Sequence, residues 1–300
     1  MNAKRVIVAF VACLLPVAGS VQARALAVAP TESKPCVGTA GKPTRVLWWI
    51  LENHSYDQAR GHMPYLDAKA DACVILTDEW AITHPSLPNY LALSGGSTFG
   101  ITDDGGPKKH PINDASVYQQ LGTSWAAFLQ SMQTNCQLRS ETPYMARHNP
   151  PAYFTPITSA CAAQDVPYTA LQARLNAGSL PTLSLVVPDR CHDAHKNTCP
   201  GGDTRNGQAR QADDFLASEL PKIIASPQYQ SGSLLVVITW DEGHSDNRVY
   251  TVLLGATRLL KTTIPTHLTH HSLLAYVERL AGVPCLKEAC TAPALSGVGL

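Results

Sequence analysis

Two of the most apolar runs in the sequence end abruptly in residues that could bind a metal ion. One run ends in Glu52 and Asn53, and another ends in Asp241 and Glu242. Carboxylate and amide oxygens are hard ligands that suit Mg, Ca or Mn and tolerate Zn. Because an uncompensated buried carboxylate is costly, a cation between the two run ends is the simplest way to accommodate both pairs. Either pair alone would be interpreted as a turn at a strand end.

A serine at the start of a predicted helix could act as a nucleophile. Ser86 lies in the segment 83–90, just before the apolar residues 91–93. At a helix N-terminus, free backbone N–H groups and the helix dipole stabilise a phosphate or another anion. If a metal held its hydroxyl as an alkoxide, Ser86 could attack phosphorus. The alternative is that Ser86 only caps the helix, which is a common role for serine.

Histidines close to the same strand ends are candidates for proton transfer. His192 and His195 follow a third apolar run, His84 precedes Ser86, and His270 precedes the last predicted helix. An imidazole can donate to phosphoryl oxygens or protonate a leaving alkoxide. The alternative for each of them is a structural or surface role, which is the more common one for a lone histidine.

The elements that must position these residues alternate between strands and helices. Continuous apolar runs predict strands that are buried on both faces. The predicted strands are 45–51, 73–77, 182–187, 234–240 and 249–254. Helical spacing and capping residues predict helices over 114–121, 208–225 and 272–280. The alternation predicts an α/β fold with a mostly parallel sheet covered on both faces, whose ligands bind beyond the carboxyl ends of the strands. Two segments rich in Pro, Gly, Asn and Thr, 98–111 and 138–165, are expected to be long loops.

Length and composition exclude several classes of protein. A chain of 300 residues allows at most about two domains. Hydrophobic residues make up 45% and charged residues 15%, which argues against wholesale disorder. Lys and Arg balance Asp and Glu at 23 each, and no block of like charges occurs, so no nucleic-acid partner is expected. Since no repeat or linker marks a second domain, residues 26–300 are predicted to form one catalytic domain.

The first residues are typical of a secretory signal peptide. Lys4 and Arg5 precede an apolar run over 6–18, and small-residue cleavage sites follow, which predicts a signal peptide over 1–25. The run is shorter than the roughly 20 apolar residues that span a bilayer, and it contains Pro16, so no stable membrane anchor is expected. The protein is therefore predicted to be secreted or periplasmic. Its oligomeric state is left open.

The cysteines support an oxidising compartment. Cys13 lies in the predicted signal peptide, and eight cysteines follow it: Cys36, Cys73, Cys136, Cys161, Cys191, Cys199, Cys285 and Cys290. An even count in an exported chain predicts disulfides, although eight cysteines allow about 105 pairings. The short spacings in the last two pairs favour bonds between sequence neighbours, and we predict neighbour pairing throughout. A zinc cluster is disfavoured because the sequence contains no Cys-x2-Cys pair.

Six segments in order resemble the acid phosphatase and phospholipase C phosphoesterases, a branch of the alkaline phosphatase superfamily. The segments are 52–57, 84–90, 147–150, 188–195, 240–243 and 269–278. The resemblance implies an alkaline phosphatase-like three-layer α/β/α sandwich and a phosphoseryl intermediate on Ser86. It also implies one divalent metal ion, with Glu52, Asn53, Ser86, Asp241 and Glu242 as its ligands. Members often carry a second Asp where Glu242 stands, so the choice among Mg, Ca, Mn and Zn stays open.

The same resemblance assigns roles to the histidines and suggests a reaction. His84, His192, His195 and His270 become candidates for phosphate contact or acid–base catalysis. The expected function is an acid phosphatase-like phosphomonoesterase that acts on a small phosphate ester. The alternatives are a phospholipase C-type phosphodiesterase, which would bind a phospholipid headgroup, and a non-catalytic metal-binding secreted protein. A triad esterase is disfavoured because Gly-x-Ser-x-Gly is absent.

Overall fold

The computed structural model describes residue 36 and residues 42–195, 199–200, 204–255 and 261–298. These residues belong to one compact unit, Glu32–Leu300, whereas the unit Met1–Thr31 lies outside the described residues. The signal peptide predicted over 1–25 falls in that outer part and stays a prediction, as does the single domain 26–300. Within the described ranges, no helix is both long enough and apolar enough to cross a membrane.

Strands and helices alternate along most of the chain. The strands are β1 Arg45–Leu51, β2 Val74–Trp80, β3 Trp125–Leu129, β4 Asp165–Pro167, β5 Leu183–Val187, β6 Leu234–Trp240, β7 Arg248–Gly255, β8 Thr262–Ile264 and β9 Leu268–Thr269. The α-helices are α1 Tyr56–Ala59, α2 Pro64–Ala72, α3 Ser86–Gly95, α4 Val117–Leu121, α5 Thr158–Gln164, α6 Leu171–Asn176, α7 Arg205–Ile224, α8 Pro227–Gln230 and α9 His270–Ala281. Short 3₁₀ turns lie at Ala146–His148, Pro150–Tyr153, Thr155–Ile157, Tyr168–Ala170 and Lys287–Cys290.

The strands form one mostly parallel sheet, as predicted. Its order is β4-β3-β5-β1-β6-β7-β2-β8, with β9 beside β2. Strand β7 runs antiparallel to both of its neighbours, β6 and β2, and the remaining pairs are parallel. Because β1 and β6 are adjacent and parallel, their carboxyl ends lie side by side at one edge of the sheet.

Strand β1 shows how the sheet is covered on both faces. Trp48 and Ile50 pack into one apolar core, to which helices α3 and α9 contribute. The intervening Trp49 and Leu51 pack into a second core, to which α2 and α7 contribute. A strand that alternates between two cores is apolar at every position, which is why the run is continuous. It can change to polar residues only where it leaves the sheet, and Glu52 stands at that point.

Several predicted bounds were wrong for identifiable reasons. The helix predicted from Asp114 begins instead at Val117, because the Ser116 hydroxyl accepts the N–H of Gln119 and caps it. Strands β3 and β4 were not predicted, since β3 contains two alanines, which are not typical of strands, and β4 has only three residues. The segment 138–165 is not one long loop, because it contains three 3₁₀ turns and helix α5.

The disulfide prediction is confirmed. All eight cysteines pair with their sequence neighbours, as Cys36–Cys73, Cys136–Cys161, Cys191–Cys199 and Cys285–Cys290. The second of these bonds joins the loop after β3 to helix α5. The last one closes the turn that follows α9.

Candidate active site

The two acidic pairs meet where β1 and β6 end. Leu51 pairs with Trp240, and the Asp241 N–H donates to the Leu51 carbonyl at 2.9 Å. Asn53 adopts a left-handed backbone conformation with φ of 46°, which asparagine tolerates better than most residues. Its N–H donates to Asp241 Oδ1 at 3.2 Å, and its side-chain amide donates to Glu242 Oε1. The backbone turn at Asn53 therefore ties the two strand ends together.

Ser86 lies at the first position of α3 and faces these carboxylates. Its Oγ donates toward Glu52 Oε2 and Glu242 Oε1, each at 3.2 Å. Pro85 occupies the N-cap position and Ser86 makes no capping bond, so the interpretation of Ser86 as a helix cap was wrong. The next N–H of the helix, that of Leu87, donates to Asp104 Oδ1 at 3.1 Å. The serine hydroxyl is thus directed at the acidic group rather than at its own helix.

Glu52 is the most heavily bonded member of the group. It is fully buried, and Oε1 lies 2.6 Å from the Tyr90 hydroxyl and 3.1 Å from His148 Nε2. Its Oε2 lies 3.2 Å from both Ser86 Oγ and His195 Nδ1. Burial alone would raise the pKa of Glu52, but the His148 and His195 rings beside it lower that pKa to about 2. The positive groups around Glu52 therefore favour its ionised form.

Three further carboxyl groups lie close to this charge. Burial, reinforced by repulsion from Glu52, raises the pKa of Asp193, Asp241 and Glu242, and His84 partly opposes the shift at Glu242. Oδ2 of Asp193 and Oδ2 of Asp241 are buried without a hydrogen-bond partner. Buried, unpaired carboxylate oxygens carry a large desolvation cost. A cation among them would offset that cost.

The donor set therefore fits a hard divalent metal ion. The structure brings together all five ligands named from the sequence: Glu52, Asn53, Ser86, Asp241 and Glu242. A second, overlapping group consists of Glu52, His148 and Asp193, which each offer a ligand atom within 4.8 Å of the others. Both groups share Glu52, so this carboxylate is central to either arrangement. The carboxylates suit Mg, Mn and Ca and are accepted by Zn, whereas the imidazole suits Zn.

Two of the four predicted histidines reach this group. Nδ1 of His84 lies 2.6 Å from Glu242 Oε2, and 52% of the His84 side chain is exposed. Nδ1 of His195 lies 2.5 Å from Asn53 Oδ1 and close to Glu52. His84 thus stands at the open side of the carboxylates, and His195 is more enclosed.

The other two histidines lie elsewhere. The His192 ring stacks on Phe215 with centroids 4.5 Å apart, and its Nδ1 lies near Gln130 and Asp189. His270 is fully buried, and its Nε2 lies 2.6 Å from the backbone carbonyl of Asp241. The structure does not bring either ring against Ser86 within the described residues. His270 lies behind the Asp241 backbone, where it can position the strand end, and the catalytic roles of both stay predictions.

Three residues of the site were not among the predicted ones. Tyr90 follows Ser86 by four residues, so it lies on the same face of α3, and this spacing was an available signal. His148 lies in the segment 147–150, which the family resemblance included without a role. Burial lowers the pKa of His148, and its Nε2 lies 3.1 Å from Glu52 Oε1, although this nitrogen makes no hydrogen bond. Asp193 holds the chain between β5 and the site, since its carbonyl accepts the Glu52 N–H at 2.7 Å and its Oδ1 accepts the His195 N–H at 2.7 Å.

Comparison with known proteins agrees with this geometry. A model of the phosphoesterase family matches residues 59–284. A phosphatidylinositol-3-phosphatase of Mycobacterium tuberculosis is 30% identical over 275 residues, which cover 88% of this chain and 87% of that protein. A probable acid phosphatase of Kluyveromyces lactis is 30% identical over 256 residues, which cover 79% of this chain but only 58% of the yeast protein.

A solved structure supports the fold. It is that of a protein in the alkaline phosphatase superfamily from Vibrio parahaemolyticus, with a TM-score of 0.60 and 14% sequence identity. The match covers 88% of this chain and 74% of that one. The predicted α/β architecture of the alkaline phosphatase type is thereby confirmed.

Proposed function

Because this chain belongs to the phosphoesterase family and is a hydrolase of phosphate esters, we propose that it is a secreted, metal-dependent phosphomonoesterase with Ser86 as its nucleophile. One observation carries the proposal. The Ser86 hydroxyl stands at the start of α3, 3.2 Å from carboxylate oxygens of both Glu52 and Glu242, inside a group of acidic residues with unpaired oxygens. A serine with a purely structural role would not need to face these acidic side chains.

The acidic group would hold one divalent ion through Glu52, Asn53, Asp241 and Glu242, with Ser86 beside it. Such an ion would lower the pKa of the serine hydroxyl and stabilise charge on the phosphoryl oxygens. Tyr90 holds Glu52 in place, because its hydroxyl donates to Oε1, and His148 Nε2 lies 3.1 Å from the same oxygen. A supporting bond of this kind fixes the orientation of a ligand carboxylate. The identity of the ion is left open among Mg, Ca, Mn and Zn.

The reaction would proceed in two steps. Ser86 Oγ gives its proton to Glu242 Oε1, toward which it donates, and attacks phosphorus; the bond from phosphorus to the leaving oxygen breaks, and the departing alkoxide takes a proton from His84. Nδ1 of His84 is held by Glu242, which leaves the other ring nitrogen for the leaving oxygen. Water then attacks the phosphoserine and gives a proton to His84, while the bond from phosphorus to Ser86 Oγ breaks and this oxygen takes its proton back from Glu242. Inorganic phosphate and the free serine result.

Secretion is supported by the predicted signal peptide and by the four disulfides. The substrate is proposed to be a small phosphate monoester. A phospholipase C-type diesterase is the second candidate, since the resemblance covers both branches and one relative is named for a phosphorylated lipid. A protein that only binds a metal is the third.

The test is hydrolysis of p-nitrophenyl phosphate by the oxidised protein across pH, with and without EDTA, followed by addition of each candidate metal. We expect activity that EDTA abolishes and one metal restores. Ser86→Ala is expected to be folded and inactive, whereas the exposed Ser218→Ala on α7 should match the wild type. Activity that survives in folded Ser86→Ala would contradict the nucleophile assignment.

A second substrate separates the candidates. We expect slower hydrolysis of p-nitrophenyl phosphorylcholine, a diester, than of the monoester. A strong preference for the diester would favour the phospholipase C-type function instead. Metal binding without hydrolysis of either ester would favour the non-catalytic protein.

A further inference from the structure

Arg147 is a largely buried cation whose bonding is incomplete. Its side chain is 17% exposed, and its Nε is buried without a hydrogen-bond partner. In the described part of the chain, its ion pair is a long one, 3.5 Å from Nε to Asp104 Oδ2. A guanidinium has five N–H donors, and leaving them unpaired away from water is costly. Arg147 is therefore placed to complete its hydrogen bonding with a bound ligand.

Arg147 is linked through Asp104 to the start of α3, which carries Ser86. Asp104, which contacts Arg147 through one carboxylate oxygen, accepts the Leu87 N–H through the other. Leu87 directly follows Ser86 at the start of α3. On its other side, Arg147 precedes His148, whose Nε2 lies 3.1 Å from Glu52 Oε1. The guanidinium is thus linked through Asp104 to the start of α3, which carries Ser86, and through the chain to the residue beside Glu52.

The charge of Arg147 acts on the same group. Burial would raise the pKa of Glu52, and Arg147 helps the two histidines to lower it. Arg147 also opposes the burial that raises the pKa of Asp104. Burial lowers the pKa of His148, and repulsion from Arg147 lowers it further. Arg147 is thus a positive charge within electrostatic reach of the place where the phosphoryl group is attacked.

We infer that the Arg147 guanidinium binds the non-bridging oxygens of the phosphoryl group at Ser86 and favours dianionic monoesters over monoanionic diesters. The inference rests on the proposed function and adds a determinant of substrate class to it. A guanidinium matches two phosphate oxygens at once, and such charge-assisted pairs are roughly twice as strong as neutral ones. A monoester offers three non-bridging oxygens and a double negative charge, whereas a diester offers two such oxygens and a single charge, so the diester gains less from the same guanidinium.

The test compares Arg147→Gln and Arg147→Lys with wild type on p-nitrophenyl phosphate and p-nitrophenyl phosphorylcholine. We expect Arg147→Gln to lower kcat/KM for the monoester by at least about tenfold, the loss of one or two charge-assisted hydrogen bonds, and to change the diester by less than about threefold. Arg147→Lys, which keeps the charge, should recover part of the loss. The exposed Arg139→Gln serves as the matched control and should change neither substrate.

A binding measurement tests the role of Arg147 independently of whether the protein hydrolyses either ester. Calorimetric titration of the metal-loaded proteins with inorganic phosphate should show affinity reduced by about tenfold or more in Arg147→Gln, and unchanged in Arg139→Gln. Equal losses on monoester and diester, or unchanged phosphate affinity in a folded variant, would overturn the inference. If the wild type hydrolyses neither ester, the proposed function fails, and the phosphate titration still decides the role of Arg147.

Discussion

The Tyr90 hydroxyl donates to Oε1 of Glu52 at 2.6 Å. Tyr90 lies one helical turn after Ser86, whose hydroxyl donates toward the other oxygen of the same carboxylate. The Tyr90 ring also stacks on His148 with centroids 5.4 Å apart, and His148 Nε2 lies 3.1 Å from the same oxygen of Glu52. One face of α3 therefore supplies both the candidate nucleophile and a group that holds its acidic neighbour.

Removal of the Tyr90 hydroxyl should weaken metal binding. Tyr90→Phe keeps the ring stacked on His148 but removes a donor to Glu52, and loss of such a supporting bond typically costs about 10–100-fold in metal affinity or activity. Calorimetric metal titration of the folded variant measures this. Tyr118→Phe, a buried tyrosine that bonds to Ser94, is the control and should bind metal as the wild type does. Unchanged metal affinity in Tyr90→Phe would contradict a supporting role.

Ser55 should be important for stability rather than chemistry. Its Oγ accepts the backbone N–H groups of His244, Ser245 and Asp246 at 3.0–3.1 Å and donates to the Asp246 carbonyl at 2.7 Å. Ser55→Ala leaves these groups without that partner, so we expect the free energy of unfolding to fall by about 2–3 kcal/mol. Urea denaturation measures it, with Ser218→Ala as the control. A change within about 0.5 kcal/mol, typical of surface substitutions, would show that contacts other than those of Ser55 hold the loop 244–246.

The loop after Glu242 should not tolerate a side chain at Gly243. A Cβ built there would lie 1.6 Å from the Asp246 carbonyl oxygen and 2.7 Å from Ser55 Oγ. Gly243→Ala must therefore displace the loop, and we expect lower thermal stability together with reduced activity. Gly106→Ala is a suitable control, because a Cβ at Gly106 would meet nothing within 4 Å. Equal melting temperatures for the two variants would contradict the expected clash.

Asp165 should make stability depend on pH. Burial raises its pKa from 3.8 to about 7, although the Asn149 amide, which donates to Oδ2 at 2.7 Å, opposes the shift. Between pH of about 4 and about 7 the folded state keeps a proton that the unfolded chain releases. The free energy of unfolding therefore falls as pH rises through this window, by at most about 4 kcal/mol for this group.

Asp165→Asn tests this expectation, because the amide does not titrate. Urea denaturation at pH 4.5, 5.5 and 6.5 should show a flatter dependence on pH in the variant than in the wild type. If both proteins lose stability in parallel, other groups such as Glu278, whose pKa burial also raises to about 7, dominate the effect.

Burial explains how much of the fold was predictable. The bounds of β1 and β6 were predicted correctly because both strands are covered on two faces, so each is apolar along its whole length and stops where the sheet ends. Because both strands end in polar residues at the same end of the sheet, Glu52 and Asp241 could be predicted to lie near each other there. Strand β4 carries Asp165 and Pro167, and no pattern in three residues distinguishes it from a loop.

The site was harder to predict where its members depend on tertiary packing. His192 and His195 stand three residues apart, yet one ring stacks on Phe215 and the other reaches Glu52. Only the path of the chain after β5 decides between them. His148 sits in a 3₁₀ turn with no periodic pattern, so its contact with Glu52 could not be derived from spacing.

The central claim is that Ser86 becomes phosphorylated during turnover. The most direct measurement is to stop steady-state hydrolysis of p-nitrophenyl phosphate with acid, digest the protein and locate phosphate by peptide mass spectrometry. We predict phosphoserine at Ser86 in the wild type, none on that peptide in Ser86→Ala, and an unchanged signal at Ser86 in Ser218→Ala. Turnover accompanied by phosphate on a different residue would contradict the account. So would rapid hydrolysis by folded Ser86→Ala.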